Sequence, residues 1–142
     1  MANLPKSPYE KTHGVFYFAR MCDKIRIHAR GELPKDYQEN LGTGFDKRCT
    51  SFLQVSYDDI VRLVNDGKSD EEILDWCFAQ NFKPSEEQIE VWNGFMSKRG
   101  WKDEGSEILG RRMKEGGFEA RKDIETMFAY IDLDEGRDPA KN

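Results

Sequence analysis

No run of apolar residues in this chain approaches the roughly 20 needed to cross a bilayer, so no transmembrane helix is expected. The opening Met1-Ala2-Asn3-Leu4-Pro5-Lys6-Ser7-Pro8 lacks the apolar core of a secretory signal. Cysteine is sparse: Cys22, Cys49 and Cys77 are odd in number, far apart and without C-x-x-C spacing. That is no disulfide framework, and it places the chain in a reducing cytoplasm. Histidine is sparser still, with only His13 and His28, and no His, Cys or acid spacing matches a zinc or iron motif. No metal or other cofactor is therefore expected. Positive charge is in deficit, with a formal net charge of −5, which argues against nucleic acid or anionic lipid as partners. Sustained period-two alternation, internal repeats and domain linkers are all missing.

What is present points to one helical domain. The 142 residues are enough for a single sizeable core, and 12% of them are aromatic, against the composition of a disordered chain. Residues 1–13, with two prolines, read as an extended arm. Val15, Phe18, Ala19, Cys22, Ile25 and Ala29 then follow helical spacing, and the helix should stop near Gly31, before Pro34. A polar connector from Gly31 to Gly44 is long for a compact domain. Phe45, Cys49, Phe52 and Leu53 recur at helical spacing and predict a second helix.

The next elements carry start signals. Ser56 with Asp59 resembles a capping arrangement ahead of Tyr57, Ile60, Val61 and Val64, and Gly67 closes that stripe. Ser69 with Glu72 and Ser85 with Gln88 are capping boxes. They lead into Ile73, Leu74, Cys77 and Phe78, and into Ile89, Trp92 and Met96. A further helix is expected from Asp103 or Glu104 to Gly116-Gly117, and a last one through Ile124, Met127, Phe128 and Ile131. From residue 133 an acidic tail should fray through Pro139. The expectation is an all-α single domain, residues 1–142, of about six or seven helices.

Several strings resemble a known family. They are Leu4-Pro5-Lys6-Ser7-Pro8, Ala19-Arg20-Met21-Cys22-Asp23-Lys24-Ile25-Arg26, Leu33-Pro34-Lys35-Asp36-Tyr37, and Gly44-Phe45-Asp46. Lys68 to Leu74, Trp92 to Met96, Lys98 to Trp101 and Ile131 to Arg137 add to them. Together they resemble the bacterial domain-of-unknown-function family numbered 5069, nearly end to end. The resemblance implies a small bacterial cytosolic protein and carries no activity with it.

The candidate chemistry must come from the residues. Arg26 falls inside the apolar stripe of the first helix, and charges are seldom buried unpaired. Either Arg26 forms a buried or half-buried ion pair that fixes helix packing, as with Asp23, or its stem packs while its head reaches water, or it is a bidentate donor to a carboxylate or phosphate, with Arg20, Lys24 and Arg30 adding field. Residues 20–30 carry a net +3 and residues 69–90 a net −6, so the basic helix either meets an anionic ligand or packs beside the acidic helices. Asn93 and Arg99 flank a stripe containing Trp92, near Trp101, and either line a concave site or leave Trp92 to pack in the core with Asn93 bonding a nearby loop. In the connector, Tyr37, Gly42, Gly44 and Asp46 sit where functional loops occur, though Leu41 to Phe45 lacks the remaining parts of a phosphate-binding loop. Cys49, beside Lys47 and Arg48, is either an activated thiol or a buried one.

Three readings follow. The first is a binding or regulatory domain taking an anionic small molecule or acidic protein segment through Arg20, Lys24, Arg26 and Arg99, with Asn93. The second is a cofactor-independent enzyme on an anionic substrate, with Asp23 or Asp46 as base, Tyr37 as acid and Arg26 as stabiliser. The third is an interaction or assembly subunit using aromatic surfaces. The sequence leaves the oligomeric state open.

Overall fold

Residues 4–13 of the expected arm fold back on the domain instead of extending from it, and residues 1–3 lie outside the described residues. In the computed structural model, which describes residues 4–138, Pro5, Pro8 and Thr12 are buried. Two short strands, β1 (Lys11–Thr12) and β2 (Val15–Phe16), pair antiparallel with Lys11 opposite Phe16. His13 and Gly14 both take positive φ, the conformation of a two-residue hairpin turn whose twist matches its strands. Hairpins this short leave no period-two pattern to detect.

Eight helices follow among the described residues: α1 (Phe18–Ala29), α2 (Lys35–Gln38), α3 (Phe45–Leu53), α4 (Tyr57–Asn65), α5 (Asp70–Gln80), α6 (Glu86–Lys98), α7 (Ser106–Glu115) and α8 (Met127–Asp134). The mostly helical single domain is as expected, and the extra helix is the single turn α2 inside the connector. Both capping boxes form: Ser69 Oγ accepts from the Glu72 N–H and Ser85 Oγ from the Gln88 N–H, with Glu72 and Gln88 reaching back. The α7 start lies at Ser106, later than expected. Helix α8 starts at Met127 with Thr126 as its cap, so Ile124 is buried in the preceding turn and not on the helix.

The centre of the domain is α1, packed against α4, α5 and the hairpin. Phe18, Met21, Cys22 and Ile25 join Leu53, Ile60, Ile73, Leu74 and Met96 in the main core. Phe128 of α8 is fully buried, with its ring 5.3 Å from Tyr9, 5.6 Å from Phe45 and 6.1 Å from Tyr17. A smaller cluster, Leu109, Met113, Ile124 and Leu133, joins α7 to α8. No helix among the described residues is long and apolar enough to cross a membrane.

Because α1 is covered on almost every side, its charges had to be paired. Arg20 and Lys24 are both buried, on a face that one-sided amphipathic reasoning gives to solvent. The covering layers are the folded-back arm and the segment after α8, which does not fray at residue 133. Glu135 is buried there, and Arg137 pairs with both Asp132 and Glu135. Residues 139–142 of the expected tail lie outside the described residues.

Candidate functional site

A cleft of about 610 Å³ opens between α1, the α2 connector, α3, the α6–α7 turn, and the C-terminal halves of α7 and α8. Its floor is two buried polar networks. In the first, the Arg20 guanidinium donates two parallel bonds to Glu135, at 2.9 and 2.8 Å, and the Tyr37 hydroxyl donates to the same carboxylate at 2.7 Å. Burial pushes the Glu135 carboxyl up, but the Arg20 fork, Tyr37 and Arg137 outweigh it and leave it below the ordinary value. Burial and the adjoining Glu135 raise the Tyr37 phenol well above its ordinary range.

The second network is a triangle. Tyr17 donates to Asp46 Oδ1 at 2.6 Å, while Lys24 Nζ lies 2.8 Å from that oxygen and donates to the Tyr17 hydroxyl at 3.1 Å. Asp46 is fully buried, and its other oxygen accepts from the Gly42 N–H at 3.0 Å. Burial lowers the Lys24 amine, against the pull of Asp46, and raises the Tyr17 phenol in concert with Asp46. Tyr17 sits at φ 78, a left-handed conformation costly for a bulky residue and held here by its surroundings. Gly42 also takes positive φ, and a Cβ there would lie 3.2 Å from the Tyr57 ring. The Gly42 amide that a phosphate-binding turn would present to its ligand is therefore spent on Asp46.

Charge at the cleft that is not consumed by these networks falls into two groups. Arg48 and Arg99 both lie against the Phe95 ring, at 5.2 and 5.9 Å from its centroid. Arg99 approaches Asp103 only at 3.7 Å, and Arg48 has no ion-pair partner among the described residues. Asp36, Glu115 and Asp134 line another part of the cleft, together with Tyr37, Tyr130 and Arg112. The Asp134 carboxyl is pushed up by burial and by Glu135 and Asp36.

Of the residues singled out from the sequence, Arg20, Lys24, Tyr37 and Arg99 line this cleft, with Asp46 directly behind its floor. Arg26 and Asp23 do not. Arg26 hydrogen-bonds Asp70 and lies 3.7 Å from Asp23, whose other oxygen accepts from the Lys6 N–H. Its strongest partner thus comes from α5, across the helix packing, and the basic helix packs beside an acidic one. Asn93 is a clamp: Oδ1 accepts from the Phe16 N–H at 2.9 Å and Nδ2 donates to the Gly14 carbonyl at 2.8 Å, pinning the hairpin to α6. Asp23, Tyr37, Asp46 and Arg26 do not converge on one point, so the acid–base set drawn from sequence is not assembled. Cys49 is fully buried, with its thiol pushed well up by burial.

Tyr17, Arg48, Asp134 and Glu135 were not among the sequence candidates. Tyr17 carried no signal, and Asp134 and Glu135 lay in the supposed tail. Arg48 was visible only as a neighbour of Cys49. Among the described residues no group of three or more His, Cys, Asp or Glu is placed to hold a metal ion. The curated proteins give no match to the chain. A family model described as Domain of unknown function (DUF5069) matches residues 2–137, almost the whole chain, and the protein belongs to that family.

Proposed function

We propose that this protein is a small binding domain whose cleft takes an anionic small molecule, with Arg48 and Arg99 as the donors that meet it. The observation that carries this reading is the pair of guanidinium groups set against one aromatic ring at the cleft, Arg48 without an ion-pair partner among the described residues and Arg99 facing Asp103 only at 3.7 Å. The ring face favours a cation over it and limits the freedom that each fork loses on binding. Guanidinium forks suit carboxylate and phosphate geometry bidentately. Arg20 and Lys24, named from sequence beside Arg26 and Arg99, serve differently: each is neutralised by a buried carboxylate and shapes the floor. A cytoplasmic setting is supported by three thiols that are buried and unpaired.

The test is the thermal midpoint of the wild type and of Arg48→Ala in graded sulfate, inorganic phosphate and small carboxylates at constant ionic strength. A saturable rise in the wild type that is lost in the variant is expected, because a ligand bound only to the folded state raises the midpoint by mass action. An equal rise in both proteins would overturn the assignment.

The Tyr17–Lys24–Asp46 triangle favours a second reading, acid–base chemistry at the cleft floor, since a buried lysine with a lowered pKa is suited to proton transfer. It predicts a substrate whose binding survives Lys24→Met while its turnover is lost.

A further inference from the structure

The cleft is not uniformly basic, and its two charged parts stand on different elements. Arg48 belongs to α3 and Arg99 to the end of α6, and both rest on Phe95. Asp36 belongs to α2, Glu115 to the end of α7 and Asp134 to the end of α8. All three line the cleft; Asp134 feels the charge of Asp36, offset in part by Arg112, and Tyr130 feels that of both Asp134 and Glu115. Arg112 stands among them without an ion-pair contact among the described residues. Glu135, by contrast, is fully committed to Arg20, Tyr37 and Arg137. A ligand that carried only negative charge would gain at Arg48 and Arg99 and lose against Asp36 and Asp134.

Resting on the anion site proposed above, we infer that the ligand is a small zwitterion, its carboxylate or phosphate held by Arg48 and Arg99 and its ammonium group received by Asp134 and Asp36. Tyr37 and Tyr130 line the receiving end, and their rings offer an ammonium group faces as well as carboxylates. Burial and its acidic neighbours hold the Asp134 carboxyl above its usual range, a penalty that a bound cation relieves. The cleft thereby ranks ligands by charge placement, binding anions with an amine at the right separation more tightly than the plain anions it also takes.

Isothermal titration of the full chain with ω-amino carboxylates of three to eight carbons, each beside the alkanoate that lacks the amine, tests this. At one chain length the amino compound should bind at least tenfold more tightly than its des-amino partner. Asp134→Asn should erase that advantage and leave alkanoate affinity unchanged or raised, while Arg48→Ala weakens both. If amine and des-amino compounds bind alike at every length, the zwitterion inference is overturned and the anion site stands. If no compound binds, or if alkylamines alone bind and Arg48→Ala has no effect, the anion reading falls and takes the inference with it.

Discussion

Glutamine at position 135 isolates the contribution of one buried charge. The Glu135 side chain is 2% exposed and that of Arg20 6%, and the carboxylate receives the Arg20 fork, the Tyr37 hydroxyl and Arg137. Glu135→Gln keeps the size and one acceptor but turns an amide N–H₂ toward the Arg20 donors and leaves the guanidinium without its counter-charge. Removing one partner of a buried pair costs about 3–5 kcal/mol. Against a total stability of about 5–15 kcal/mol that is a large share. At roughly 2–4 °C per kcal/mol for a chain of this size, the midpoint should fall by about 10 °C. The pH dependence carries a sign. The folded-state pKa of Glu135 is depressed, so its contribution is complete above the unfolded carboxyl value of about 4.3 and is lost as the pH falls through the lower folded value. Urea unfolding followed by tryptophan fluorescence should therefore show the full gap at pH 7 and a closing gap below about pH 4. A loss under about 1 kcal/mol at pH 7, or a gap unchanged in acid, would refute this account of the Arg20–Glu135 pair.

Phe128→Ala should cost about 3–5 kcal/mol, measured in the same urea assay, because the ring is fully buried among Tyr9, Phe16, Tyr17 and Phe45. Gly100→Ala should cost about 2 kcal/mol, since the position sits at φ 104 and a Cβ there would stand 3.1 Å from the Met127 backbone nitrogen. A neutral result would mean the α6–α7 turn can shift away from α8. All three cysteines should resist a thiol reagent in the native protein at pH 8 and react together once urea unfolds it, because each is buried with its thiol pushed above the ordinary value. Native labelling of Cys49 alone would contradict its placement.

The helices were readable from the sequence wherever an apolar stripe coincided with a local start signal, as at Ser69 and Ser85. Those signals are short-range, and the structure uses them as written. What failed was everything that depended on a segment returning from far along the chain. Arg20 reads as a donor to an anionic ligand until Glu135, 115 residues later, is brought onto it. The half-buried ion pair expected at Arg26 is present, its side chain 26% exposed, but its close partner is Asp70 of α5 and not the local Asp23. Asn93 reads either as a site residue or as a bond to a nearby loop, and the second holds, the loop being the hairpin 77 and 79 positions upstream. Of the acidic residues at the cleft, Asp134, with Glu135 beneath it, was assigned to a frayed tail, since composition alone cannot tell an acidic strap from an acidic end.

The anion site itself is tested most directly by titrating inorganic phosphate into ¹⁵N-labelled protein and mapping the amide shifts. Saturable shifts confined to Gly44, Arg48, Arg99 and Gly105 around the cleft, absent in Arg48→Ala, are expected. Shifts centred on Arg26 and Asp70, or scattered without saturation, would contradict it.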